Sequence, residues 1–116
     1  MPSRISEAEA AFYAIMDLMK VAVALEGIVD GPPERMAALY DFCYNLGVYA
    51  FLRGSVYHAM VNGDLATAAK SIEAYVYAGG RKLKGLQRRR CAERLLFTGE
   101  VKDPYEAIRI AEAKYR

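Results

Sequence analysis

Apolar residues recur along most of this chain at intervals of three and four, the spacing that gathers them on one side of an α-helix. Phe12, Ile15, Met16, Met19 and Val23 form the first such series. Ser6 and Glu9 make a capping box ahead of it, in which each side chain can serve the other's free backbone N–H. Together they predict a long helix over 6–29. The stretch "DGPPER" breaks it, and a proline in the first turn suits the next helix, "PERMAALYDFCYNLG". Its stripe is Met36, Leu39, Tyr40, Cys43 and Leu46, and Gly47 stops it by taking positive φ cheaply.

"VYAFLRG" allows a turn or two, and "SVYHAMVNG" follows. Asp64 is placed to cap "LATAAKSIEAYVYA", which Gly79 and Gly80 end. "LQRRRCAERLLFTG" reads as a helix stopped by Gly99. Asp103, Pro104 and Glu106 start a last one, "PYEAIRIAEAKYR". No stretch alternates convincingly with period two. "AYVYAG" has β character, but its helical surroundings decide the reading. The expected fold is all-α, a compact domain of five to seven helices.

With 116 residues, 54% of them hydrophobic, one domain over 1–116 with a substantial core is expected. Lys20 and Glu26 interrupt the most apolar stretch, 18–29, so no membrane span is expected. No basic stretch followed by an apolar block opens the chain, which points to a cytosolic protein. Cys43 and Cys91 then read as reduced, packed thiols rather than a bridge. The net charge of +2 is unevenly spread. Residues 1–60 hold four basic and seven acidic side chains, residues 61–116 twelve and seven.

The basic excess concentrates in "YAGGRKLKGLQRRRCAER", residues 77–94, with seven Lys or Arg against one Glu. No groove-reading module accompanies it, which argues against nucleic acid. Arg89 and Glu93, four apart, are spaced to pair along one helix. His58, the only histidine, has no convincing partner, so neither metal nor Ser-His chemistry is expected. It reads as a half-buried helix residue. Cys43 reads as inert core, and Cys91, beside Arg88, Arg90 and Arg94, as an unreactive helix position. No cofactor is expected.

Three elements in series carry a resemblance. Tyr44, Asn45 and Gly47 end one helix. Ser55, Asn62, Gly63 and Asp64 follow. Ala78, Gly79 and Gly80 then lead into Gly85, Leu86, Arg89, Arg90, Glu93 and Arg94. This series, over roughly 5–100, resembles the C-terminal helical lobe of phage-type lysozymes (endolysins, glycoside hydrolase family 24). Residues 101–116 run past it as an added helix. The first helix looks like the family's inter-lobe helix. The resemblance implies a catalytic lobe N-terminal to the matched region, bearing a Glu acid, an Asp and a Thr. It also implies a Trp before the Ala-Gly-Gly loop, where this chain has "AYVYAGG" and no Trp.

Glycoside hydrolysis needs a raised-pKa acid and a second carboxylate across the scissile bond. Glu26-Gly27 and Asp30 imitate the end of the family's catalytic helix. No following strand brings a Thr, so Glu26 reads as a helix-end surface carboxylate. The expectation is therefore a chain that is not an enzyme, with no catalytic residue: a lysozyme-derived binding protein of phage or prophage origin, acting in the bacterial cytoplasm. A protein partner, including a host or defence factor, is expected first. Self-association and peptidoglycan glycan are the alternatives for the same face. So is a different role, as the C-terminal half of a split muramidase. The expected binding residues are Tyr44, Asn45, Tyr49, Phe51, Tyr75, Tyr77, Gly79, Gly80, Arg81, Lys82, Arg88 and Arg89, with Val48 beside them. The last helix is expected to fold back over the lobe or to make a protein contact.

Overall fold

The punctuation read from the sequence sets most element boundaries in the computed structural model. It describes residues 6–116, so the first five positions of the expected domain lie outside it. Helix α1 spans Glu7–Leu25, with the Ser6 hydroxyl accepting from the Glu9 N–H at 3.1 Å. The box closes differently from the expected way: the same hydroxyl donates to the Glu9 carboxylate at 3.3 Å. The helix also stops short of residue 29, because Gly27 turns the chain at φ 77°. Helix α2, Pro33–Leu46, starts on its proline and ends at Gly47, φ 96°. Short helices α3, Val48–Arg53, and α4, Ser55–Val61, follow. Asp64 caps α5, Leu65–Glu73, through the Thr67 N–H at 3.0 Å.

The helix expected to reach Ala78 ends five residues early. Tyr77–Ala78 and Arg81–Lys82 form a two-stranded antiparallel ribbon, with Tyr77 opposite Lys82 and Ala78 opposite Arg81. Gly79 and Gly80 both take positive φ, 59° and 77°. A two-residue hairpin turn of type I′ requires positive φ at both of its central residues. The glycines thus make a hairpin where a helix stop was expected. Helix α6, Lys84–Thr98, follows, and Gly99 ends it in the left-handed region. Helix α7, Pro104–Lys114, is capped by the Asp103 carboxylate, which accepts from the Tyr105 N–H. Seven helices and one small ribbon among the described residues place the chain in the all-α class.

Helix α6 is the central element and packs against α2, α5 and α7. Around it Leu39, Phe42, Phe51, Val56, Ile72 and Phe97 are almost wholly buried. Phe42 meets Phe51 and Tyr75 edge-on, with ring centroids 6.3 and 5.2 Å apart. Helix α7 does fold back, on Ala107 and Ala111, while Tyr105 stays exposed. Its end is tied down by Arg88 Nε donating to the Tyr115 carbonyl at 2.8 Å and Lys84 Nζ to the Arg116 carbonyl at 2.7 Å. Removing residues 100–116 would bare the α6 surface that these alanines cover. The expected result is a lower Tm and concentration-dependent association, read by thermal melts and sedimentation.

Helix α1 departs from this pattern. Only Val21 and Leu25, near its C-terminal end, reach the core. Residues 6–20 are exposed throughout, among them Phe12, Tyr13, Ile15, Met16, Leu18 and Met19. No helix among the described residues is long and apolar enough to cross a membrane.

Candidate functional site

Most of the basic residues of 77–94 are engaged within the molecule. Arg89 reaches back 48 positions to Asp41 on α2, with Nε 3.1 Å from one carboxylate oxygen and Nη2 2.9 Å from the other. This two-point grip replaces the pairing with Glu93 expected from spacing. Planar guanidinium and carboxylate match best edge to edge in one plane, two parallel N–H···O bonds, and Asp41 offers that geometry. Arg94 pairs with Glu73 and with Glu100. Arg90 is buried, with its guanidinium 5.0 Å over the Phe42 ring. Arg88 and Lys84 hold the C-terminal residues, as described above. Arg81 and Lys82 have no such partner among the described residues. They stand exposed on the ribbon beside Tyr77.

The twelve expected binding residues therefore separate. Tyr77, Arg81 and Lys82 share the ribbon that Gly79 and Gly80 turn. Tyr44, Asn45 and Tyr49 lie at the α2–α3 junction, Tyr44 and Tyr49 exposed. The Asn45 amide donates to the Asp41 carbonyl of its own helix. Phe51 does not belong to any surface: its exposure is 0%, because α3 turns that side of its single turn and a half onto Phe42. Tyr75 and Val48 are half-buried against the core. Arg88 and Arg89 are committed to Tyr115 and Asp41. His58, expected half-buried, is exposed on α4. Glu26 sits exposed in the turn after α1, on the rim of an open depression shared with Asp30, Met36 and Tyr40.

Sequence reasoning missed a charged cluster inside the fold. Glu93 is 3% exposed, and Arg90 Nε comes within 3.0 Å of its Oε1. That approach is off the N–H axis, so neither atom gains a hydrogen bond. Burial pushes the Glu93 carboxyl up to about 10, the neighbouring Asp41 carboxylate adds to this, and the Arg90 charge pulls the other way. Burial also acts upward on Asp41, but the Arg89 hydrogen bonds prevail and lower it to about 2. Burial raises both thiols, Cys43 to about 12, so neither is a ready nucleophile at neutral pH. The sign for stability follows from proton binding. Glu93 binds its proton more tightly folded than unfolded, so its contribution is full below the unfolded value and is lost as pH rises. The slope is at most about 1.4 kcal/mol per pH unit. Urea unfolding between neutral and mildly alkaline pH should show that fall, and Glu93→Gln should flatten it.

The comparisons with known proteins agree with these elements. The phage lysozyme family profile matches residues 1–93. The SAR-endolysin of bacteriophage PS119 is 35% identical over 91 residues, covering 77% of this chain and 54% of that protein. The SAR-endolysin of Escherichia phage Mu is 36% identical over 92 residues, covering 78% and 54%. That of Enterobacteria phage P21 is 36% identical over 66 residues, covering 57% and 40%. The chain spans about half the length of the curated relatives it matches. The expectation that it is not an enzyme does not stand. Its relatives are named as endolysins and the matching profile is that of a lysozyme, so the residues at hand give no ground for denying catalysis to the whole protein. On the match over residues 1–93, the chain belongs to the phage lysozyme family.

Proposed function

We propose that the chain is the C-terminal helical lobe of a peptidoglycan-cleaving lysozyme, and that it works together with a catalytic lobe that carries the acidic pair. The observation behind this reading is the bare apolar stripe of α1. Phe12, Ile15, Met16 and Met19 are each 41–60% exposed on one long helix. Contiguous exposed apolar surface of this kind marks an interaction site. A second lobe seated there would bury it, and α1 would then join the two. On this reading the protein partner expected from the sequence is the catalytic lobe itself. The exposed Tyr77, Arg81 and Lys82 supply an aromatic face and donors suited to a glycan. The working compartment would be that of the murein.

Clearing of purified murein tests the reading. The chain would be assayed alone and mixed with the unmatched portion of the phage Mu SAR-endolysin, supplied as a separate polypeptide. Clearing by the mixture and not by either part is expected. Clearing by the chain alone, lost on Glu26→Gln, would instead put the chemistry in this lobe. A silent mixture would count against the pairing.

A further inference from the structure

A crevice of about 450 Å³ opens between the second turn of α6 and the C-terminal half of α7. Arg88 lines it from α6, Arg109, Glu112 and Ala113 from α7, and Arg116 from just past the end of that helix. The short Ala113 side chain keeps it open. Arg88 is held by its Nε, which donates to the Tyr115 carbonyl at 2.8 Å, and its two Nη groups make no hydrogen bond among the described residues. Neither Arg109 nor Arg116 has a carboxylate within ion-pair distance among the described residues. Three guanidinium groups thus line one crevice with a single carboxylate, Glu112, and two positive charges are left unbalanced. The carbonyls at the end of α7, which would repel an anion, are covered: Tyr115 accepts from Arg88 and Arg116 from Lys84. Helix α7 lies beyond residues 1–93, so the crevice is built partly from chain outside the family match.

We propose that this crevice is a binding site for a phosphate monoester, with the dianionic head between Arg88, Arg109 and Arg116 and its substituent toward solvent. A phosphate monoester carries close to two negative charges at neutral pH, which matches the charge that the crevice leaves unbalanced. Guanidinium forks take phosphate oxygens two at a time, and Arg88, already aimed by the Tyr115 carbonyl, loses little freedom on binding. Like charges gathered without a counter-ion also repel one another, and a dianion between them removes that repulsion. The proposal does not depend on the lysozyme reading.

The test titrates the full chain, at mildly alkaline pH and low salt, with methyl phosphate and with the monoanion dimethyl phosphate, followed by amide and arginine Nε NMR shifts. Saturable binding of methyl phosphate is expected, with shifts at Arg88, Glu112 and Ala113. Dimethyl phosphate should bind at least ~10-fold more weakly, the value of one charged hydrogen bond. Arg109→Gln and Arg116→Gln, both at exposed positions, should each lower the affinity for methyl phosphate ~10-fold with Tm unchanged. Glu112→Gln should raise it. Lys102→Gln removes the same charge from an exposed site outside the crevice and should change nothing. Sedimentation with phosphatidate vesicles identifies the carrier: capture that Arg109→Gln abolishes places the phosphate on a lipid, and no capture places it on a soluble ester. Equal affinity for the two phosphates, equal losses from Lys102→Gln and Arg109→Gln, or absence of saturation by methyl phosphate would each overturn the proposal.

Discussion

Phe51→Ala is expected to destabilise the fold by about 3–5 kcal/mol, while Tyr49→Ala, two positions away on the same short helix, stays within ~0.5 kcal/mol of the parent. The two residues look alike in the sequence, as aromatic side chains after a glycine stop. In the structure Phe51 is fully enclosed, edge-on to Phe42 and tilted against Tyr57 at 5.5 Å, whereas Tyr49 is 83% exposed. Truncating Phe51 removes a buried ring and leaves a cavity that the surrounding aromatic side chains cannot close. A domain of this size has roughly 5–15 kcal/mol in hand, so the variant should be close to unfolding. Paired urea titrations would read the contrast. Equal, small losses at both positions would mean that Phe51 is a surface residue and that α3 is rotated.

Phe12→Asp with Met16→Asp is expected to weaken association with a catalytic lobe by ~100-fold or more, without lowering the Tm of this lobe. Each apolar side chain taken from water at an interface contributes about 1.5–3 kcal/mol, and a buried unpaired carboxylate adds a penalty in place of that gain. The free lobe should not register the change. Neither side chain reaches the core, and at 58% and 41% exposure both already face water. A stripe that served only to fold this lobe would give the opposite outcome: a lower Tm and unchanged association. Calorimetric titration with the unmatched portion of the phage Mu SAR-endolysin separates the two.

The helix boundaries were legible because their causes are local. Ser6, Gly47, Asp64, Gly99 and Pro104 each act within one turn, and each sits where the sequence places it. The hairpin at Gly79 and Gly80 was also encoded locally. It was misread because Tyr75–Ala78 continues an apolar helical pattern, and two adjacent glycines serve a helix stop and a tight ribbon turn equally well. Burial was less legible. Periodicity identifies the apolar side of α1 and of α2 in the same way, yet α1 is covered only at Val21 and Leu25, while α2 buries Ala38, Leu39, Phe42 and Cys43. Phe51 shows the same limit at one residue. The Arg89 partner was out of reach for a different reason. Spacing offered Glu93 one turn away, but the structure brings Asp41 from α2, 48 positions distant. Pulled toward Asp41, Arg89 leaves Glu93 to Arg90. The buried cluster is thus a product of how α2 crosses α6, which no local pattern records.

Amide hydrogen exchange along α1 shows whether a second lobe seats on this helix. The chain would be followed alone and with the catalytic portion of a matching endolysin present. If α1 is the element on which a second lobe seats, amides of residues 7–20 should exchange quickly in the free chain and slow markedly in the mixture, while those of α6 stay as they were. Exchange in α1 that is the same with and without the added lobe would contradict the account.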